Sequence, residues 1–85
     1  MYYVYVLKSL SRKDWHYICI SAEPERRLDQ HNRGKVRSTK GYRPWEIIHK
    51  ERFLDRSAAT RRERYLKTLP GHAELKSLLE DQGMW

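Results

Sequence analysis

The chain has 85 residues, of which 39% are hydrophobic and 34% charged, a composition that excludes a disordered protein and fits one small domain over residues 1–85. Eighteen Lys and Arg residues against eleven Asp and Glu give a net charge of +7, which favours polyanionic partners and nucleic acid above all. A single cysteine excludes an internal disulfide, and no apolar stretch approaches the roughly 20 residues of a membrane span, so we expect a soluble, cytoplasmic protein without a membrane partner.

The first two predicted elements are strands that form an antiparallel hairpin. Aromatic, β-branched and other apolar residues dominate residues 2–7 and again residues 15–20, and a polar connector separates the two runs. With the turn centred near Ser11, residue 5 stands opposite residue 17. Because side chains alternate between the faces of a strand, Tyr5 and Tyr17 share one face, and the other face carries Val4, Val6, His16, Ile18 and Ile20.

The next predicted element is a helix over residues 23–32, followed by a basic loop. Ser21 can cap this helix, Pro24 fits its first turn and Gly34 marks its end. Residues 33–45 include no acid, and we read them as a flexible loop. Five basic side chains of this loop are expected to contact a nucleic-acid backbone: Arg33, Lys35, Arg37, Lys40 and Arg43.

A third strand is predicted over residues 45–53. Trp45 and Ile47 lie on one face of this strand, and His49 is a further candidate for the same face. Tyr42 and Trp45 are aromatic side chains that could stack on bases, although Trp45 fits the core better.

Two helices are predicted to complete the chain. Ser57 can cap a helix over residues 58–69, and the Pro-Gly pair at positions 70 and 71 breaks it. The last helix, over residues 72–80, carries an apolar stripe made of Leu75, Leu78 and Leu79. The chain is therefore predicted to be an α+β domain, with a small three-stranded antiparallel sheet flanked by about three helices in the order β-β-α-β-α-α.

Five segments carry a resemblance to a known family. The sequence reads YVY at residues 3–5, YIC at 17–19, ERRLDQHN at 25–32, YRPWEII at 42–48 and ATRRERYLK at 59–67. In this order and spacing, over nearly the whole chain, they resemble the GIY-YIG nuclease superfamily and in particular its smallest stand-alone bacterial members. The resemblance implies a divalent-metal-dependent endonuclease that hydrolyses phosphodiester bonds in DNA, structured or single-stranded substrates included.

The resemblance also assigns expected roles to five residues. Tyr17 matches the family's favoured general base, and Tyr5 matches the tyrosine that assists it. Arg27 is expected to stabilise the charge of the phosphoryl group, and His31 to lie near the substrate phosphate or to assist proton transfer. Glu63 matches the family's ligand for a single Mg²⁺ or Mn²⁺ ion. Because the chain carries no specificity domain, we expect broad substrate selection or targeting by a protein partner.

Each of these residues also has a structural alternative. Taken without the family pattern, Tyr5 and Tyr17 fit ordinary packing between strands better than catalysis. His31 is equally suited to satisfying carbonyl groups at the C-terminus of its helix. On helix geometry alone, Glu63 would be expected to pair with Lys67 four residues later.

The second motif departs from the family at Cys19, where a glycine is usual. A side chain at this position falls on the Tyr17 face and is expected to narrow the site or shift Tyr17. No Cys-His pair is identifiable in the sequence, so a nucleophilic thiol is not expected. The alternative hypothesis is therefore a catalytically impaired protein that keeps the fold and binds nucleic acid.

Overall fold

A computed structural model describes all 85 residues and contains one three-stranded antiparallel sheet. The strands are β1 (Tyr2–Ser9), β2 (His16–Ser21) and β3 (Trp45–Phe53), in the spatial order β2-β1-β3. Three helices accompany the sheet: α1 (Pro24–Asn32), α2 (Arg56–Leu66) and α3 (Leu69–Asp81). The predicted α+β class and element order are confirmed.

The hairpin register differs from the prediction by two residues. Tyr5 lies opposite Cys19, and Leu7 lies opposite Tyr17. The centre of the turn is thus one residue later than Ser11. Because strand side chains repeat every two residues, this shift leaves Tyr5 and Tyr17 on the predicted common face.

A β-bulge changes the third strand. Val6 pairs with His49 and Leu7 pairs with Ile47, so Ile48 is an extra residue with no partner of its own. Ile48 packs into the core beside Val6. The bulge reverses the alternation, so His49 lies on the Val6 face and its predicted place beside Trp45 was wrong.

Two helix caps also differ from the predictions. The Ser21 hydroxyl accepts a hydrogen bond from the backbone N–H of Glu23, but Glu23 itself precedes the first residue of α1. At α2, the Asp55 carboxylate accepts a hydrogen bond of 2.8 Å from the Ala58 N–H. Asp55 rather than Ser57 is therefore the N-cap, because its extended backbone points the side chain at the helix start.

The boundary between α2 and α3 lies three residues before its predicted place. Helix α2 ends at Leu66, and Thr68 caps α3 by accepting a hydrogen bond of 3.2 Å from the Gly71 N–H. Pro70 lies in the first turn of α3, where a missing N–H has no cost. The Pro-Gly pair thus begins the last helix instead of separating two helices.

Both faces of the sheet are covered. Helices α2 and α3 pack on one face and enclose a core of Val4, Val6, Ile18, Ile48, Ala59, Leu66, Leu75 and Leu79. Helix α1 and the loop after it cover the other face, where Tyr5, Leu7 and Trp45 are buried. Leu78, predicted to lie in the docking stripe of α3, is 40% exposed. None of the helices is both long and apolar enough to cross a bilayer.

Candidate active site

A cavity of about 190 Å³ lies at the free edge of β2, where residues from both faces of the sheet meet. It brings together side chains from β1, β2, α1, α2 and the loop after α1. All five of the predicted catalytic residues line it. The full lining is Tyr5, Tyr17, Ile18, Cys19, Ile20, Arg27, His31, Val36, Glu63 and Lys67.

A chain of hydrogen bonds fixes two of these side chains. The Tyr5 hydroxyl lies 3.5 Å from Nε2 of His31, and Nδ1 of His31 lies 2.7 Å from the Thr39 hydroxyl. Thr39 donates its own proton to the Val36 carbonyl at 3.3 Å. The Thr39 oxygen must therefore accept from His31 Nδ1–H, which leaves Nε2 to accept from Tyr5.

The surroundings of these hydrogen bonds keep the side chains of Tyr5 and His31 uncharged. Burial raises the pKa of Tyr5 well above its ordinary value, and the neighbouring Cys19 adds to this effect while Arg27 opposes it. Burial lowers the pKa of His31, and the positive charge of Arg27 lowers it further. Near pH 7 Tyr5 is thus a hydrogen-bond donor, and His31 is a neutral acceptor toward it.

Tyr17 has a different environment from Tyr5. Its side chain is only partly buried, and its hydroxyl lies 3.3 Å from the hydroxyl of Ser38 in an exposed position. The Tyr17 ring meets the His31 ring edge-on at 6.3 Å, and the Lys67 ammonium lies 5.9 Å from the centre of the Tyr17 ring. The Tyr17 hydroxyl is therefore the tyrosine oxygen of this cavity that the solvent can reach.

Arg27 is a cation without an acidic partner. Its Nη1 donates a hydrogen bond of 2.6 Å to the side-chain oxygen of Gln30, and no carboxylate lies within ion-pair distance. Arg26, the neighbouring arginine, pairs instead with Glu23 on the exposed side of α1. A half-buried guanidinium that faces a cavity can bind an oxyanion such as a phosphate.

Glu63 is the carboxylate of the cavity. Its side chain is 20% exposed, and its Oε2 lies 3.5 Å from Nζ of Lys67. The pairing expected as an alternative role is thus present. Nowhere in the chain do three His, Cys, Asp or Glu side chains converge on one point. One carboxylate beside a cavity that can hold water fits a single Mg²⁺ or Mn²⁺ ion, which takes most of its ligands from water and substrate oxygens.

Cys19 lies in the cavity as the alternation of β2 predicts. It is the cross-strand partner of Tyr5, so a thiol occupies space that a glycine would leave open. Burial raises the pKa of Cys19 to about 11, although Tyr5, Lys67 and Arg27 oppose this effect. The thiol is therefore protonated near pH 7, and a nucleophilic role is disfavoured.

The basic loop is more ordered than predicted. Thr39 is fully buried, the Trp45 indole N–H donates to its carbonyl at 3.0 Å, and a short 3-10 helix (Lys40–Tyr42) follows. The side chain of Asn32 makes two hydrogen bonds with the backbone of Trp45. Of the predicted contacts to nucleic acid, Arg33 pairs with Asp29, while four side chains are exposed and unpaired: Lys35, Arg37, Lys40 and Arg43.

Three residues of the site were not predicted as functional. Ser38 and Thr39 come from the loop, and no sequence pattern connects them with Tyr17 and His31. For Lys67 the sequence offered one indication that it lies at the site, which is its position four residues after Glu63 on the same face of the helix. Outside the site, Arg62 forms an ion pair with Glu51 at 2.8 Å.

Comparison with known proteins gives extended matches. A model of the GIY-YIG catalytic domain matches residues 1–75. A UPF0213 protein of Natronomonas pharaonis is 35% identical over 82 residues, which cover 95% of this chain and 93% of that relative. A UPF0213 protein of Enterococcus faecalis is 41% identical over 71 residues, which cover 80% of this chain and 78% of that relative.

A third relative is larger. The SLX1 subunit of a structure-specific endonuclease of Chaetomium globosum is 43% identical over 53 residues, which cover 56% of this chain and 16% of that relative. The likeness is therefore confined to one segment of the fungal protein. No solved structure gives a significant match.

Proposed function

The chain belongs to the GIY-YIG catalytic-domain family, and on that premise we propose that it is a metal-dependent endonuclease that hydrolyses phosphodiester bonds in DNA. The observation that carries the proposal is the convergence of Tyr5, Tyr17, Arg27, His31 and Glu63 on one cavity. These residues lie between positions 5 and 63 of the sequence and come from four elements. Packing alone does not require a carboxylate, an unpaired arginine and two tyrosines to share one partly open cavity.

The two tyrosines take different roles in this proposal. Hydrolysis needs a base that removes a proton from the attacking water. Tyr17 is proposed as this base, because its hydroxyl is the accessible one: it takes the proton of the attacking water as its own proton passes to the solvent or to the Ser38 hydroxyl. Tyr5 is proposed to orient the water or a phosphate oxygen by donating a hydrogen bond to it. In the free protein the Tyr5 hydroxyl donates to His31 instead, and this hydrogen bond holds the Tyr5 side chain in position. When Tyr5 turns to the substrate, His31 can take part in proton transfer.

Arg27 and Glu63 are proposed to act on the charge of the phosphate. Negative charge builds on the phosphoryl oxygens as water attacks, and Arg27 is proposed to stabilise it through charge-assisted hydrogen bonds. Glu63 is proposed to hold the metal ion, which would polarise the phosphate and stabilise the leaving oxygen. Lys67 must release the Glu63 carboxylate for this, and its own side chain, which is 49% exposed, can turn to the solvent when the metal ion takes its place.

The exposed cations of the loop are proposed to hold the DNA backbone beside the cavity. Lys35, Arg37, Lys40 and Arg43 extend from the segment that also supplies Ser38 and Thr39 to the site. Contacts of this kind fix position without reading sequence. We therefore expect broad substrate selection. We also propose that the protein acts in the cytoplasm and that a protein partner directs it where targeting is needed.

Cys19 favours a second candidate function, a nucleic-acid-binding protein with impaired catalysis. Its side chain stands directly opposite Tyr5 and reduces the space around that hydroxyl. Binding of DNA without cleavage would support this candidate. The variant Cys19→Gly then asks whether the thiol is responsible, since recovered cleavage would identify it as the cause.

A cleavage assay tests the proposed endonuclease. Labelled single-stranded, double-stranded and branched DNA are incubated with the protein in Mg²⁺, Mn²⁺ or EDTA. We expect cleavage with metal, none with EDTA, and a loss of at least about 100-fold in Glu63→Gln, because that variant removes the charged ligand. Glu80→Gln is the matched control, since Glu80 is exposed on α3 and makes no ion pair. Equal cleavage by the two variants would contradict the proposal.

A further inference from the structure

Trp15 forms an exposed aromatic platform with Tyr42. The two rings stack with centres 4.8 Å apart and an angle of 8° between their planes. Trp15 nevertheless remains 47% exposed, so stacking on Tyr42 leaves much of the indole in solvent. The Arg12 guanidinium lies 5.4 Å from the centre of the Tyr42 ring. An aromatic ring held against a second ring, with its own surface open to solvent, offers a flat face on which a further ring can stack.

The platform is held rigidly by Ser9. This buried residue donates its backbone N–H to the Trp15 carbonyl at 2.9 Å, and its hydroxyl donates to the Tyr42 carbonyl at 2.7 Å. A further backbone hydrogen bond of 2.8 Å runs from Leu10 to Pro44. The two loops that carry the rings are therefore fixed to each other through the end of β1, and the stacked geometry is preformed.

The platform is connected to the candidate active site by aromatic contacts. The Tyr42 ring lies 6.3 Å from the ring of buried Trp45, and Trp45 lies 6.4 Å from Tyr17. A ligand on Trp15 would therefore lie on the same side of the sheet as the Tyr17 hydroxyl. Arg12 lies beside the platform, and the same two loops carry three further cations, which are Lys13, Lys40 and Arg43.

We propose that Trp15 binds an unpaired nucleobase of the nucleic-acid substrate by stacking, at a subsite set apart from the nucleotide whose phosphate enters the cavity. The proposal rests on the proposed function and names its substrate class, which is nucleic acid with at least one unpaired base. Every base has an aromatic face, so stacking on Trp15 would tolerate any sequence.

Charge and shape favour this ligand over others. A base in a continuous duplex has both faces covered by its neighbours, so only an unstacked base can offer a face to Trp15. The cations of these two loops can contact the phosphates on either side of such a base. Asp14 is the acid next to Trp15 in the sequence, and it is outnumbered by these cations.

The test measures binding in EDTA, which prevents cleavage, to a DNA duplex whose single unpaired residue is either a bulged 2-aminopurine or a bulged abasic site. We expect quenching of 2-aminopurine fluorescence when the wild-type protein binds. Trp15→Ala is expected to weaken binding between about 5-fold and about 150-fold, as loss of one stacked base does elsewhere. The abasic site should weaken wild-type binding similarly and should cost Trp15→Ala little more. Trp15→Phe should restore part of the affinity.

Leu10→Ala is the matched control, because Leu10 is an exposed apolar residue of the same connector without an aromatic ring. Equal affinities of Trp15→Ala and Leu10→Ala, or an abasic oligonucleotide that binds as tightly as the intact one, would overturn the proposal alone. The abasic comparison uses only the wild-type protein, so it holds even if Trp15→Ala folds poorly. Cleavage of duplex DNA at the rate of unpaired DNA would also overturn it and leave the nuclease function standing.

Discussion

Tyr5 and Tyr17 share a face of the sheet but differ in the surroundings of their hydroxyl groups. Tyr5 is fully buried against His31, and Tyr17 opens to the solvent beside Ser38. Alternation along the strands predicted the common face correctly even though the register was wrong. It could not predict the difference in burial, because that depends on where the loop around Thr39 closes over the sheet.

For Arg27, His31 and Glu63, too, the local sequence pattern does not contain the contacts that the fold makes. Family order predicted them as members of one site, and the fold brings them together. Helix position alone favoured another role for Glu63, and for His31 it left the two roles equally open. The role at the helix C-terminus is not observed for His31, since its ring contacts Tyr5 and Thr39 rather than helix carbonyls. These contacts are made between segments far apart in the sequence, so local pattern does not contain them.

The buried, neutral state of His31 predicts a pH dependence of stability. Its pKa in the folded protein lies below the value of 6.5 expected for the unfolded chain. Below that pH the unfolded chain binds the proton first, so the free energy of unfolding should decrease as the pH falls from 6.5. Urea unfolding between pH 5 and 8 should therefore give a smaller decrease for His31→Gln than for the wild type.

Two other histidines serve to interpret this experiment, His16 as a second source of pH dependence and His72 as the control. Burial also lowers the pKa of His16, so part of the decrease should persist in His31→Gln. His72 is exposed on α3, and His72→Gln should follow the wild-type curve. If His31→Gln and His72→Gln lose stability equally as the pH falls, His31 is not held neutral by burial.

At the scale of elements, the predictions succeeded on type and order and failed at boundaries. The bulge at Ile48 was not predicted, since one extra residue leaves the apolar pattern of β3 almost unchanged. It turns His49 and Glu51 toward α2, where Arg62 joins them in an ion-paired group. The Pro-Gly pair at 70 and 71 predicts a break between helices, but the same residues also suit the first turn of a helix.

The cap of α3 gives a prediction about stability. Thr68 accepts from the Gly71 N–H, and its own hydroxyl donates to the Tyr65 carbonyl at 2.6 Å, so one side chain joins α2 to α3. Thr68→Ala should lower the free energy of unfolding by about 1 to 2 kcal/mol, measured by urea unfolding. Thr68→Ser keeps both hydrogen bonds and should lose much less. Equal losses in the two variants would exclude the cap as the cause.

At the scale of the whole molecule, the net charge of +7 is unevenly distributed. The loop after α1 concentrates exposed cations beside the cavity, and the acids of α1 and β3 are largely engaged in ion pairs such as Glu25 with Lys50 and Glu51 with Arg62. Composition alone predicted an attraction to polyanions. It could not locate the positive surface, because that depends on which cations the fold leaves unpaired.

This distribution predicts how binding of DNA responds to salt. Each phosphate contact that is lost should reduce the slope of log affinity against log salt by about 0.7 for single strands and about 0.9 for duplex. A variant with both Lys35→Gln and Arg37→Gln should therefore reduce it by about 1.4 to 1.8. The control combines Arg61→Gln with Lys76→Gln on α2 and α3. An equal effect of the two pairs would mean that the loop is not the binding surface.

We propose that a phosphodiester bond is cleaved in the cavity between Tyr5, Tyr17 and Glu63, and the deciding measurement is the rate of single-turnover cleavage by Tyr17→Phe. This variant removes one oxygen and keeps the ring, while Tyr3→Phe removes a hydroxyl that makes no hydrogen bond. We predict that Tyr17→Phe binds DNA normally and cleaves it at least about 100-fold more slowly, the typical contribution of a general base. Tyr3→Phe should cleave at the wild-type rate. Cleavage by Tyr17→Phe at the rate of Tyr3→Phe would contradict the account.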